Sequence, residues 1–277
     1  MSIVNYRTPA TVPAGGPSPI IWANCPVVTM LKDPGKGIHI FEDFIDNITE
    51  LAAAGQFGKF QVVETGDGVA CTLDAAAHTG EHGVAKLVPT GSSQYDEAWF
   101  VSEILCRLKM NNQRKVWFET RIKLPDITDD MSLLAGLGDA TLLAGSSVIQ
   151  ASATPTTIES RDFVGFVAFT DGTKIHDIDA IYHEVGDSAV TQVKDAAFAQ
   201  ASWVNDTYVK MGLYFDGGQY LYYYINGVQV GDRLDIDDFA TVTANELTPL
   251  GIIVGCVAGD TSAPHLDVDW IRFACER

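Results

Sequence analysis

The sequence predicts an all-β protein, an antiparallel sandwich or barrel behind an extended N-terminal arm. Three observations lead there. Short runs of β-branched and aromatic residues recur between turn signals from Phe60 onward. The segment LYFDGGQYLYYYINGVQV, Leu213 to Val230, alternates like a hairpin and carries two turn signals. Six of the eleven prolines fall within the first 34 residues, which sets that stretch apart from any sheet. The 277 residues are compatible with one large core, because sandwiches commonly run to about 200 to 250 residues as a unit.

Residues 1–40 form the arm. Proline fixes φ and withholds a backbone donor, so an extended conformation is expected. Arg7, Lys32 and Lys36 against Asp33 give the arm a net charge of +2, leaving −20 for residues 41–277. Ile20, Ile21 and Trp22, with Val27, Val28, Met30 and Leu31, make it too apolar for a free linker. It is expected to lie along its own domain or on a neighbouring subunit.

Asn47 followed by Glu50 and an alanine run ending at Gly55 reads as a short capped helix. Strands are then expected at Phe60 to Glu64, Val69 to Leu73, Gly83 to Val88, Ala98 to Leu105 and Val116 to Leu124. Further strands are expected at Asp162 to Thr170, Ala189 to Val193, Tyr208 to Phe215, Gln219 to Ile225, Leu250 to Val257 and Leu266 to Phe273. Residues 129–156, rich in Gly, Ser and Ala, suit either a close-packed strand pair with a loop or a mobile lid.

The tyrosine segment reads as a three-strand meander. Alternation puts Val209, Met211, Leu213 and Phe215 on one side, continued by Leu221, Tyr223 and Ile225. Tyr220, Tyr222 and Tyr224 take the other side, about 7 Å apart along the strand. Asp216-Gly217-Gly218 and Asn226-Gly227 supply the turns. Such a row of phenols either packs against protein or stacks on sugar rings, with Trp99, Trp117 or Trp203 as candidate companions.

Composition excludes several functions. A net charge of −18 disfavours nucleic acid and acidic membrane surfaces, since phosphate binding needs clustered Lys and Arg. Five cysteines without CxxC spacing indicate neither a zinc site nor a redox pair, and suit a reducing compartment. The N-terminus lacks the basic and apolar regions of a signal peptide, and no apolar run reaches the roughly 18 residues of a membrane span. No Gly-x-Ser-x-Gly elbow, phosphate loop or His-Glu-x-x-His pair occurs. His176 and His183, near Asp177, Asp179 and Glu184, could form a metal cluster, but solvated loop acids explain them as well.

Several segments resemble the concanavalin A-like lectin/glucanase sandwich, an antiparallel jelly roll, in its laminarinase and lichenase branch. They are FEDF (Phe41 to Phe44), VSEILCRLKMNNQRKVWFETRIKLPD (Val101 to Asp126), YVKMGLYFDGGQYLYYYINGVQV (Tyr208 to Val230) and LDVDWIRFA (Leu266 to Ala274). All are framework pieces, so the resemblance implies fold more than activity. Catalysis in that family rests on Glu-x-Asp-x-Glu, where alternate strand positions bring carboxylates to one face. The segment after WFETRIKLP, DITDDMSLLAGLGDATLLAGSSVI, contains no glutamate. A non-enzyme is therefore expected; Arg-x-Glu-Leu-Arg and Gln-Ile-His, the marks of alginate lyases, are missing too. The resemblance also implies a structural calcium between the start of the domain and its last strand, with Asp269, Asp267 and Glu42 as candidate ligands.

Two functional classes follow. The chain resembles phage virion proteins that set a lectin-like sandwich behind a Pro-rich arm, with KGIHIFEDF (Lys36 to Phe44) at the junction. That implies a decoration or cement protein of a tailed-phage head, located in the virion. It would contact the major capsid protein and copies of itself, as a homo-oligomer such as a trimer, with Ile20, Ile21 and Trp22 as arm contacts. The alternative is a carbohydrate-binding or glycan-cleaving module whose platform is Tyr220, Tyr222 and Tyr224.

Overall fold

The computed structural model describes residues 15–44, 56–57, 59–65, 70–73, 83–89, 95–109, 111–124, 126–139, 148–149, 155, 158, 162–184, 191–236, 249–260 and 264–277. Two short helices come first, α1 (Pro19–Trp22) and α2 (Val27–Lys32), then β1 (Gly37–Glu42), β2 (Gln56–Phe57), β3 (Phe60–Thr65) and β4 (Ala70–Leu73). The middle of the chain supplies β5 (Ala85–Val88), β6 (Glu97–Val101), β7 (Val116–Leu124), β8 (Met131–Asp139), β9 (Phe163–Ala168), β10 (Ile178–His183) and β11 (Thr191–Phe198). It ends with β12 (Thr207–Phe215), β13 (Tyr220–Ile225), β14 (Val228–Gln229), β15 (Leu234–Asp235), β16 (Leu250–Ala258) and β17 (Leu266–Glu276).

These strands form two antiparallel sheets packed as a sandwich, the jelly-roll architecture expected. Sheet I runs β14-β13-β12-β7-β17-β5-β4, with β1 also on β17 and β15 on β13. Sheet II runs β11-β10-β9-β8-β16-β6-β3-β2. The main core lies between them and contains Phe118, Phe166, Met211, Leu213, Tyr223, Ile252 and Phe273. Apolar burial on this scale is the dominant favourable term in folding.

The meander forms as its alternation requires. Met211 faces Ile225 and Phe215 faces Leu221 across β12 and β13. Asn226 and Gly227 turn the chain with φ of 51° and 77°, the left-handed pair of a tight hairpin. At the other turn the Asp216 carboxylate accepts N–H bonds from Gly218, Gln219 and Tyr220 at 2.8, 3.0 and 3.0 Å. In β17 the register shifts between Val268 and Trp270, so Asp269 occupies a bulge. Leu266 and Val268 point into the core before it, and Ile271, Phe273 and Cys275 after it.

Two expectations need correction. The arm is not extended throughout, since residues 19–22 and 27–32 are helical. Pro19 and Pro26 open these turns, where the missing N–H has no helical partner to serve. Residues 37–40, placed in the arm, belong instead to sheet I, because β1 pairs with β17 from Gly37–Glu276 to Glu42–Ile271. The expected helix at 47–55 lies outside the described residues. Within 129–156, Met131–Asp139 is a central strand of sheet II.

Candidate functional site

Each outer face of the sandwich is covered by a segment tethered to a buried glutamate. On sheet I the outward residues of neighbouring strands are brought level by pairing: Tyr214 with Trp117, Gly212 with Glu119, Lys210 with Arg121. On the other side of β7, Arg272 lies opposite Glu119 and Ala274 opposite Trp117. The segment from Gly15 to Trp22 crosses this face. Trp270 Nε1 donates to the Gly15 carbonyl at 2.7 Å and Lys210 Nζ to the Gly16 carbonyl at 3.2 Å.

The carboxylate of Glu119, fully buried, accepts the Ser18 N–H at 2.9 Å and the Trp22 indole N–H at 2.7 Å. Burial pushes its pKa up, against the opposing pull of those hydrogen bonds and of the Lys210 ammonium. The Arg272 guanidinium sits 4.0 Å over the Trp22 ring, a cation–π contact. Ile21 occupies the space over Gly212, where a Cβ would come within 2.5 Å of the Ile21 Cδ1. Of the three expected arm contacts, Ile21 and Trp22 are thus buried on the chain's own sheet, whereas Ile20 remains 61% exposed.

The tyrosine row continues this surface. Trp117 stacks on Tyr214 with ring centroids 5.6 Å apart, and Tyr214 on Tyr222 at 5.7 Å. Arg233 lies 3.6 Å over the Tyr220 ring. Tyr224 is buried beside Ile21, Trp22 and Trp117, whereas Tyr220 and Tyr222 are half-buried. Burial, followed by the Asp216 carboxylate and the Tyr222 ring, pushes the Tyr214 phenol up to about 12. The row presents two reachable phenols, Tyr220 and Tyr222, on a stacked aromatic base. Of the three candidate tryptophans only Trp117 joins it; Trp203 packs in the main core and Trp99 on the far sheet.

The outer face of sheet II is a second apolar cluster. Trp99, Val101, Leu134, Phe163, Val167 and Ile253 are buried there together with Val148, Ile149 and Ile158 from the stretch between β8 and β9. Glu97 anchors this cover, accepting the Val148 N–H at 3.2 Å and the Trp99 indole N–H at 3.0 Å. The outward residues of β9 are Phe163, Gly165 and Val167. Gly136 faces Gly165, and a Cβ on either would press on the Phe163 ring at 3.0 or 2.9 Å.

Each candidate calcium ligand lies beside a cationic side chain. Lys123 Nζ lies 3.4 Å from Asp267 and Lys59 Nζ 3.3 Å from Glu42. Asp269 is paired with Arg121, which in turn lies 3.7 Å over the Tyr208 ring. His176, Asp177, Asp179, His183 and Glu184 do not converge. Asp177 and Asp179 accept backbone N–H bonds from Gln200 at 2.5 Å and Ala196 at 2.8 Å, while His183 and Glu184 are buried at the far end of β10. Among the described residues no group of three or more His, Cys, Asp or Glu side chains is placed to hold a metal ion, and no helix is long and apolar enough to cross a membrane.

No family model and no curated protein matches the chain. Solved structures do. A protein of unknown function from Shewanella oneidensis MR-1 is similar with a TM-score of 0.52 and 11% identity, covering 96% of this chain and 97% of its own. A beta-1,3-glucanase from Mycobacterium marinum is similar with a TM-score of 0.50 and 10% identity, covering 84% of this chain and 97% of its own. The cellulose induced protein Cip1 matches with a TM-score of 0.50 and 12% identity, over 84% of this chain and 96% of its own. At these identities the likeness establishes the sandwich fold of the lectin and glucanase type and nothing finer.

Proposed function

We propose that this chain is a non-catalytic carbohydrate-binding sandwich that contacts glycan through the half-buried phenols of Tyr220 and Tyr222. The observation that carries this reading is the stacked series Trp117, Tyr214 and Tyr222, with Arg233 over Tyr220. Rigid phenols on an aromatic base offer flat apolar area and hydroxyl groups at low entropy cost, as sugar stacking requires. Hydrolysis is not part of the proposal. The segment after WFETRIKLP, residues 126–149, contains no glutamate, and paired carboxylates are what retaining chemistry needs. Screening against a glycan array, followed by calorimetry and a reducing-sugar assay, tests this. Expected are binding without product release and at least a tenfold loss of affinity in Tyr222→Ala, about 1.4 kcal/mol. Released product, or unchanged affinity in Tyr222→Ala and Tyr220→Ala, would overturn it.

A second reading, a virion decoration or cement protein, is favoured by the docked arm. Ile20, Val28 and Leu31 are 61, 64 and 66% exposed on α1 and α2. A cluster of apolar side chains on a covering segment suits contact with a shell protein or another copy of the chain. Mass spectrometry of purified particles would find the chain at high copy number on this reading, and absent from them on the first.

A further inference from the structure

At the end of the sandwich where β7 begins and β17 finishes, a cavity of about 550 Å³ is lined by Cys106, Cys275, Arg107, Lys109, Arg114 and Arg277, among others. The four cationic residues are exposed at its mouth and the two sulfurs are buried at its base. Such a concentration of positive charge stands out on a chain of net charge −18. Glu276 is the one acidic lining residue, and its carboxylate accepts the Lys115 N–H at 3.1 Å.

The two thiols are free and differ in character. The Cys275 thiol donates to the Glu276 carbonyl at 3.2 Å. The neighbouring Cys106 thiol, then the positive charges of Arg114 and Arg277, draw Cys275 below its ordinary range despite burial and Glu276. The neighbouring Cys275, with burial, pushes Cys106 well up. Burial holds Cys25 up at about 12 and raises Cys256 as well, so neither shares this character. Reactive cysteines occupy electropositive, accessible settings, and structural ones do not.

We propose that this cavity is a thiol–disulfide exchange site for small disulfides bearing carboxylates, with Cys275 as the attacking sulfur and Cys106 as the resolving one. The Cys275 thiolate attacks one sulfur of R–S–S–R. A Cys275–S bond forms as the S–S bond breaks, and the first R–S⁻ leaves to take a proton from water. Cys106 then gives up its proton to water and attacks Cys275 Sγ, releasing the second R–S⁻ and leaving a Cys106–Cys275 disulfide. The protein dithiol loses two electrons and the small disulfide gains them, becoming two thiols. Arg107, Lys109, Arg114 and Arg277 pair with the carboxylates of the incoming disulfide.

The probe is 5,5′-dithiobis(2-nitrobenzoate), a dianionic disulfide, with neutral 4,4′-dithiodipyridine as comparator. Expected are two thiolates released per chain, no retained adduct, and a peptide map of the unsubstituted protein with Cys106 joined to Cys275. Cys106→Ser should release one thiolate and retain the adduct on Cys275. Arg114→Ala with Arg277→Ala should slow the anionic reagent about tenfold more at low salt than the neutral one, which slows only as the thiolate fraction falls. Adducts retained on the unsubstituted chain, modification confined to other cysteines, or equal slowing of both reagents would overturn the proposal. The peptide map decides even if a variant fails to fold.

Discussion

The Trp22 indole N–H donates to the Glu119 carboxylate at 2.7 Å, across 97 residues of sequence, and so fixes the N-terminal segment to the middle of sheet I. The Ser18 N–H shares the same acceptor. Glu119→Ala should leave both donors buried without an acceptor, at about 1–3 kcal/mol each. The expected result is release of the segment before the sandwich melts. Limited proteolysis should cut near residues 15–33 while the strands stay intact, and tryptophan fluorescence should shift to the red.

Gly212 and Ile21 should behave as a pair. A Cβ at Gly212 would meet Ile21 Cδ1 at 2.5 Å and the Phe118 carbonyl at 3.2 Å. Gly212→Ala should therefore displace α1, and combining it with Ile21→Ala should restore part of the loss. A double-mutant cycle by urea denaturation should give a coupling of about 1 kcal/mol; strict additivity would show that the two do not meet.

Tyr223 crosses the core, donating its phenol to the Ile181 carbonyl of the opposite sheet at 2.7 Å. Tyr223→Phe removes the donor and leaves that carbonyl poorly served, so a loss of about 1–3 kcal/mol is expected in chemical denaturation. Tyr220→Phe, on the outer face, should cost far less.

His39 should give stability a pH dependence. Burial, then the Arg272 guanidinium and the Lys59 ammonium, lower its pKa from 6.5 to about 4, and Arg272 donates to its ring nitrogen at 3.3 Å. The unfolded chain takes up this proton more readily, so the contribution is complete above 6.5 and lost as pH falls toward 4. Glu119 has the opposite sign, its raised pKa favouring the fold below 4.5 and losing that advantage as pH climbs. Urea midpoints measured across this range should fall less steeply on acidification in His39→Gln than in the unsubstituted chain.

The sequence made the meander legible because β12 and β13 each have one core face and one outer face. Their alternation therefore survives in the residues, and Asn226-Gly227 marks the turn. Val116 to Leu124 was legible from its β-branched and aromatic residues. The central strand β8 was not, because MSLLAGLGD is buried on both faces through its first eight positions and so shows no period of two. The arm's helices were missed because prolines outweighed the apolar residues around them. Nor could spacing along the chain show that Glu119, an apparently ordinary framework residue, is the acceptor for Trp22, or that Cys106 and Cys275 meet.

The bulge at Asp269 writes the last strand in two reading phases. Even-numbered positions face the core at 266 and 268, and odd-numbered ones at 271, 273 and 275. A saturation scan of this strand should show its tolerance for polar residues slip by one position at Asp269. Deleting that residue should close the bulge and join the two halves in a single alternation along β7, with Leu266, Val268, Ile271, Phe273 and Cys275 still on the core face. The last strand thus carries one residue more than its pairing with β7 needs, and that residue spends its side chain on Arg121.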